Sequence, residues 1–321
     1  MQKHVQFYNL NSHLDELFKR YLSECTYSSQ LSPETIKSYR QVYETFRKIM
    51  PEILNTKDLH PHVLNVFFER VSTRKRIVGK NTVRIGVKPS TIKTYYNKLI
   101  AFFKWLEEHE YVPKKSLVEK IRKPPDPVYD NVKNLSQTEV SKIIAAIALD
   151  SMDDVFRLKR DLSLVSLLLY TGIRRGELLG LRVQDLNFEK RFVHIRGETS
   201  KSRKSRNIPM NPILRNYLIA YLEYRKFKKY KTESLIVSTK SDNGLSQGGL
   251  KCWVTKFNRL SGVRFHLHQF RHTFACKLAT GKADIISIRN ALGHTTTRMT
   301  ERYLRSIPME DTRSYIDDIS F

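Results

Sequence analysis

The sequence predicts a mainly α protein with a small antiparallel β-sheet, divided into two domains. Three observations carry this expectation. Apolar residues recur at helical spacing along most of the chain, strand-like stretches are few and short, and a proline-rich segment after Arg122 breaks the helical pattern. At 321 residues the chain also exceeds the usual size of a single core, roughly 150 residues per domain.

The first helix is expected from Leu14, Leu17, Phe18, Tyr21 and Leu22, behind a capping signal of Ser12 with Asp15. Ile36, Tyr39, Tyr43, Phe46 and Met50 then step by three and four, with Ser32 placed for an N-cap and Pro33 for N1. A shorter apolar stretch runs from His62 to Val71, and Ile92, Tyr96, Leu99, Phe103 and Leu106 repeat the rhythm after Pro89. These make a four-helix N-terminal bundle over residues 1–122. Ahead of its last helix, VSTRKRIVGKNTVRIGVK carries Arg74, Lys75, Arg76, Lys80, Arg84 and Lys88 and no acidic residue. That pattern suits a loop or hairpin that contacts phosphates, and equally a solvated basic loop.

Residues 123–134, KPPDPVYDNVKN, hold three prolines and read as an extended linker. The second domain, 135–321, opens with Ser136 and Glu139 as a capping box for a helix carrying Val140, Ile143, Ile144 and Ile147. The run LSLVSLLLY, Leu162–Tyr170, is too short to span a membrane and is expected as a buried central helix. Strand character follows at Phe192–Ile195, Asn207–Met210 and Leu235–Ser238, and helical patterning then returns to the end.

Lys and Arg number 57 against 32 Asp and Glu, a formal charge of +25. Such a surface attracts polyanions, and nucleic acid is the first partner to consider. The N-terminal stretch lacks the apolar core of an export signal, so a cytoplasmic, nucleoid-associated protein with no membrane partner is expected. Cys25, Cys252 and Cys276 are far apart and outside any CxxC pair, which argues against a disulfide framework or a zinc site. All three are expected to be buried or half-buried thiols.

The residues suited to chemistry sit in four settings. Arg174 emerges in TGIRRGELLGL just after Gly172 breaks the apolar helix, with Glu177 three residues on to tie down its backbone or a neighbouring side chain. Lys201, in SKSRKSRNIPM, lies in a basic run between two expected strands, where Arg203 and Lys204 also suit contact with a polyanion. His268 and Arg271 in HQFRHTFA share one helix face. In ALGHTTTRMTERYL, Gly293 ends a helix, His294 follows, and Tyr303 stands on the next helix among Arg298, Arg302 and Arg305. A phenol ionises near pH 10, so a tyrosine nucleophile needs cationic neighbours or a base. Each feature alone also reads as an ordinary ion pair, basic turn or packed aromatic.

Taken together, Arg174, Lys201, His268, Arg271, His294 and Tyr303 resemble the complete catalytic set of the tyrosine recombinases, the phage integrase and Xer-like family. Tyr303 lies 32 residues after Arg271 and nine after His294, spacings usual for compact members. The resemblance extends over about 134–304, and the N-terminal bundle is similar to the family's core-binding domain. Lys201 departs from the family pattern in having serines where glycines are usual.

The resemblance implies a two-domain clamp on DNA and a site-specific recombinase that cleaves and rejoins DNA through a 3′-phosphotyrosyl intermediate. Tyr303 would be the nucleophile, Lys201 the general acid, His268 a proton acceptor or orienting partner, and Arg174, Arg271 and His294 the phosphate ligands. It implies no metal and no cofactor, since the intermediate conserves the phosphodiester bond energy. The implied partners are double-stranded DNA with inverted repeats, a homotetramer in the synaptic complex, and accessory DNA-bending or directionality factors. The implied role lies in integration, excision or resolution of a mobile element or replicon. The tail bearing Met309, Tyr315, Ile316 and Ile319 looks like a segment that docks into a neighbouring protomer, and packing on its own domain is the alternative. A type IB topoisomerase and a non-catalytic DNA-binding protein are the rival readings. Covalent adducts would exclude the second, and exchange between paired sites would exclude the first.

Overall fold

The computed structural model describes residues 12–79, 82–126, 134–200 and 203–304. The chain divides into two compact units, Met1–Tyr129 and Asp130–Phe321. Most of the expected linker, residues 127–133, lies outside the described residues, as does the expected docking tail.

The first unit contains α1 (Leu14–Tyr27), α2 (Pro33–Ile49), α3 (Val63–Thr73), the hairpin strands β1 (Lys75–Val78) and β2 (Thr82–Ile85), and α4 (Pro89–Glu108). Its helices bury an aliphatic core that encloses a cluster of aromatic rings. Phe18 stacks on Tyr43 at 3.8 Å between centroids, and Phe102 meets both rings edge-on. Such pairs add about 0.5–1.5 kcal/mol beyond area burial. Ser32 caps α2 by accepting from the Thr35 amide, ahead of Pro33. The cap of α1 differs from expectation: His13, rather than Ser12, accepts from the Asp15 amide. The Asp15 carboxylate instead takes Tyr43 Oη at 2.8 Å and Arg47 Nε at 2.9 Å, both from α2.

The basic segment before α4 is a hairpin, with Arg76 opposite Arg84 and Ile77 opposite Val83. Its base is pinned on α3. Gly86 has φ +67°, and a Cβ there would lie 2.3 Å from the Ser72 carbonyl oxygen, so only glycine fits. Ile77, Val83 and Ile85 are exposed on one face of the hairpin.

The second unit is built around α6 (Val155–Thr171), which packs against α8 (Pro212–Phe227) and α10 (Leu267–Thr280). Leu164, Val165, Leu167 and Leu168 of α6 are buried throughout. Around it stand α5 (Gln137–Asp150), whose Ser136–Glu139 capping box is formed, α7 (Arg175–Gly180), α9 (Gln247–Ser261), α11 (Ile285–Leu292) and α12 (Thr297–Leu304). A three-stranded antiparallel sheet runs in the order β3 (Leu186–Asn187), β4 (Phe192–Ile195), β5 (Arg206–Pro209). The expected strand at Leu235–Ser238 is not one. Leu235, Ile236 and Val237 are buried, but the segment pairs only through isolated bridges, Arg182 with Ser234 and Val237 with Gly244. Its apolar run answers to a position wrapped by the core rather than to a ladder. Cys25 and Cys276 are buried, whereas Cys252 is exposed, against expectation, on the outer side of α9. No helix among the described residues is long and apolar enough to cross a membrane.

Candidate active site

Arg174, Arg271 and His294 come from segments that meet at the end of α11. Three consecutive carbonyls there, those of Ala291, Leu292 and Gly293, are each taken by a different arginine. Arg206 Nε donates to Ala291 at 2.9 Å, Arg271 Nη2 to Leu292 at 2.6 Å, and Arg174 Nη2 to Gly293 at 3.1 Å. The carboxyl end of a helix carries partial negative charge, which favours cations at this point. The chain can present these carbonyls because Gly293 adopts φ +63°, the left-handed conformation that stops α11.

Arg174 stands at the N-cap of α7, placed there when Gly172, at φ +57°, closes α6. Its backbone N–H donates to Glu177 Oε2 at 2.8 Å and its Nη1 to Glu177 Oε1 at 3.0 Å. Arg271 is only 2% exposed. It is accommodated because Nη1 also donates to the carbonyl of Gly172 at 2.8 Å, so one guanidinium spans the ends of α6 and α11. A surface helix bearing mixed charge does not describe α10: His272 and Thr273, beside Arg271, are buried too.

His268 precedes Arg271 by one turn and lines the same open cavity of about 640 Å³ with Arg174 and Arg271. Arg175, Lys251 and His266 add positive or titratable groups to its rim, and Ile173, Leu250 and Val254 supply apolar wall. His294 Nδ1 lies 3.0 Å from Oγ1 of the fully buried Thr300 on α12. Burial, then the charges of Arg271 and Arg174, push the His294 imidazole down to about 3. The same order of causes, burial and then Arg271, lowers His268. Both rings are therefore neutral at pH 7, able to donate through one nitrogen and accept through the other. Glu177, fully enclosed, is held at about 2: burial opposes its ionisation, but the bonds and charge of Arg206, then those of Arg174, override it.

The backbone of Tyr303 belongs to α12, which packs on α10 and α11. Its side chain, and all of Lys201, lie outside the described residues. Lys201 belongs to the connection between β4 and β5, and Arg203 and Lys204 on the same connection are exposed. In the first unit, Lys75, Arg84 and Lys88 are exposed and Arg74 is half-buried. Arg76 donates through Nε to the Gly86 carbonyl at 2.7 Å, so it braces the hairpin. Lys80 lies outside the described residues. The reading from sequence passed over Arg206 and Thr300. Arg206 stands 29 residues from its partner Glu177, and no local spacing marks such a pair. Thr300 lies six residues after His294 and carried no signal beyond that proximity.

Two cationic forks and two neutral imidazoles converging beside a cavity form donors arranged for an anion with several oxygens, as a phosphodiester has. The phage integrase family model matches residues 133–309. Tyrosine recombinase XerA of Pyrococcus furiosus is 27% identical over 281 residues, 82% of this chain and 87% of that protein. Among solved structures, the integrase of transposon Tn1549 in complex with transposon right end DNA matches with TM-score 0.70 and 16% identity, covering 96% of this chain and 99% of that one. The lambda integrase tetramer bound to a Holliday junction matches with TM-score 0.66 and 18% identity, over 94% and 81%. The two structural likenesses bear on the fold.

Proposed function

This chain belongs to the phage integrase family and is a site-specific tyrosine recombinase, and from that premise we propose how its residues break and rejoin DNA. Tyr303 attacks the scissile phosphate. The bond from its phenolic oxygen to phosphorus forms as the bond from phosphorus to the 5′-oxygen breaks. The departing 5′-oxygen takes a proton from Lys201, and the phenolic proton passes toward His268 or to water. Rejoining reverses these steps with a 5′-hydroxyl of another strand. No nucleotide hydrolysis is required, because the phosphotyrosyl ester conserves the bond energy.

The observation that supports this reading most directly is the anchoring of Arg174 and Arg271 on successive carbonyls of one turn. Donors fixed in advance cost no reorganisation when charge builds on the non-bridging oxygens, and such donors supply the largest share of catalysis in many enzymes. His294, on the next residue, is the third donor of the set.

The DNA partner is a duplex with inverted repeats, bound in part by the basic hairpin through Lys75, Arg84, Lys88 and Lys80, and by Arg203 and Lys204 near the active site. Four protomers act together on two such duplexes, as the lambda integrase tetramer on its junction does. The enzyme serves a mobile element, with accessory DNA-bending or directionality factors, beside the nucleoid. The test is covalent capture. The protein is incubated with a pool of duplexes of random sequence, nicked so that the freed fragment diffuses away, and adducts surviving denaturation are recovered and sequenced. Adducts destroyed by protease, formed with a chelator present, and carrying inverted repeats are expected. Recovery of no adduct would sink the reading.

A further inference from the structure

The three arginines on the end of α11 do not have equal access to the cavity. Arg174 and Arg271 line the cavity, and Arg206 does not. The Arg206 side chain is 10% exposed and its donors turn inward. Nη1 and Nη2 reach Glu177 Oε1 and Oε2 at 3.0 and 2.9 Å, and Nε reaches the Ala291 carbonyl. Arg206 therefore links three segments that carry other residues of the site: β5, which follows the Lys201 connection; Glu177, which holds Arg174; and the turn that leads into His294.

Glu177 shows why the link matters. Each of its oxygens receives two donors: Oε1 from Arg174 Nη1 and Arg206 Nη1, Oε2 from the Arg174 amide and Arg206 Nη2. A fully enclosed carboxylate with half of these donors removed would have to recover them from what remains. The nearest source is the rest of the Arg174 guanidinium, whose Nη2 now binds the Gly293 carbonyl. Without Arg206 the carboxylate would draw that fork toward itself and off the Gly293 turn. The clearance at the turn is small. A Cβ on Gly293 would lie 2.8 Å from Arg206 Nη1, so the guanidinium is the surface against which this turn is shaped.

We propose that Arg206 is a positioning residue: by occupying Glu177 and the Ala291 carbonyl together, it sets where the Arg174 fork and the His294 imidazole stand relative to the reacting phosphate. The proposal rests on the roles given above to Arg174 and His294. It adds a residue that does not line the cavity yet governs the rate of the chemical step.

The charged groups that contact Glu177 are Arg174 from its own segment and Arg206 from β5; Arg196 and Glu198 belong to the turn packed on α7, Arg271 to α10, and His294 follows α11. Arg206 contributes most to holding Glu177 ionised. Its removal therefore raises the pH at which the buried carboxylate takes up a proton and releases Arg174.

The test compares wild type, Arg206→Gln and Arg206→Lys on a nicked duplex obtained by the covalent capture described above. Thermal unfolding, affinity for that duplex and the single-turnover rate of adduct formation are followed from about pH 4.5 to 8, a range that starts just above the ordinary glutamate value and passes through the ordinary imidazole value. Arg206→Gln should unfold cooperatively and bind the duplex as wild type does. It should form adduct between about tenfold and a hundredfold more slowly, the scale of a misplaced reacting group. The acid limb of its profile should move toward neutrality, and Arg206→Lys should recover part of both changes by restoring charge beside Glu177. Three results would overturn the proposal: Arg206→Gln reacting as wild type with the same profile, affinity falling in step with rate, or neither variant folding. If wild type itself formed no adduct dependent on Tyr303, the mechanism proposed above would fail first and this inference with it.

Discussion

Arg271 donates to the carbonyl of Gly172 across 99 residues of chain, so one arginine of the site holds the turn that presents the other. Replacing Arg271 by Ala leaves the Gly172 and Leu292 carbonyls without their donor, at about 1–3 kcal/mol for each buried group. Urea unfolding of Arg271→Ala should show a loss of about 2–6 kcal/mol on that basis, together with loss of adduct formation. Arg271→Lys keeps the charge but cannot fork, so it should recover stability better than activity. Wild-type stability in Arg271→Ala would contradict the structural part of this role.

Tyr303→Phe removes one oxygen at almost constant volume, so folding and duplex affinity should be kept while covalent adducts vanish. Tyr315→Phe is the matched control and should react normally. An adduct persisting in Tyr303→Phe, or lost only in Tyr315→Phe, would reassign the nucleophile.

The hairpin makes a prediction about salt. Arg84 is exposed on β2, whereas Arg76 spends its Nε on Gly86. Arg84→Ala should lower the slope of log K against log salt by about 0.9, one phosphate contact, without changing sequence preference. Arg76→Ala should instead lower the melting temperature through the hairpin and reduce affinity as a secondary effect. Binding measured from low to high salt separates the two, and an altered preferred sequence for Arg84→Ala would contradict a phosphate role.

His294 makes a prediction about acid. Its ordinary value of 6.5 is pushed down to about 3 in the folded chain, first by burial and then by Arg271 and Arg174. Between those values the unfolded chain binds a proton that the folded chain refuses. The stability this residue contributes is therefore present above about pH 6.5 and lost as pH falls toward 3. His294→Gln should thus lose less stability between about pH 7 and pH 5 than wild type does. Urea midpoints at the two pH values measure this, and equal losses would show that the fold does not depress His294.

What could be read from sequence was what local chemistry decides. Ser32 with Pro33 and Ser136 with Glu139 announce helix starts because a cap is made within four residues. Gly172 and Gly293 announce helix ends because a left-handed residue is needed there. Legibility failed where the deciding partner lay far away. Asp15 looked like a capping residue until Tyr43 and Arg47 claimed it, and the buried run at 235–237 looked like a strand because burial from all sides and pairing in a sheet leave the same apolar signature. Arg206 looked like part of a basic turn, since its pairing with Glu177 exists only once β5 has folded against α7.

The carbonyls of Ala291, Leu292 and Gly293 carry a consequence for how the enzyme is made. A polypeptide still emerging from the ribosome can complete α6, α7 and α10, and so possess Arg174 and Arg271, before those three carbonyls exist. Until they do, each guanidinium has only its other partner, Glu177 for Arg174 and the Gly172 carbonyl for Arg271, and Tyr303 has yet to be translated. The order of synthesis thus brings the Tyr303 segment, to which the proposed mechanism assigns the nucleophile, after both arginines and the carbonyls that hold them.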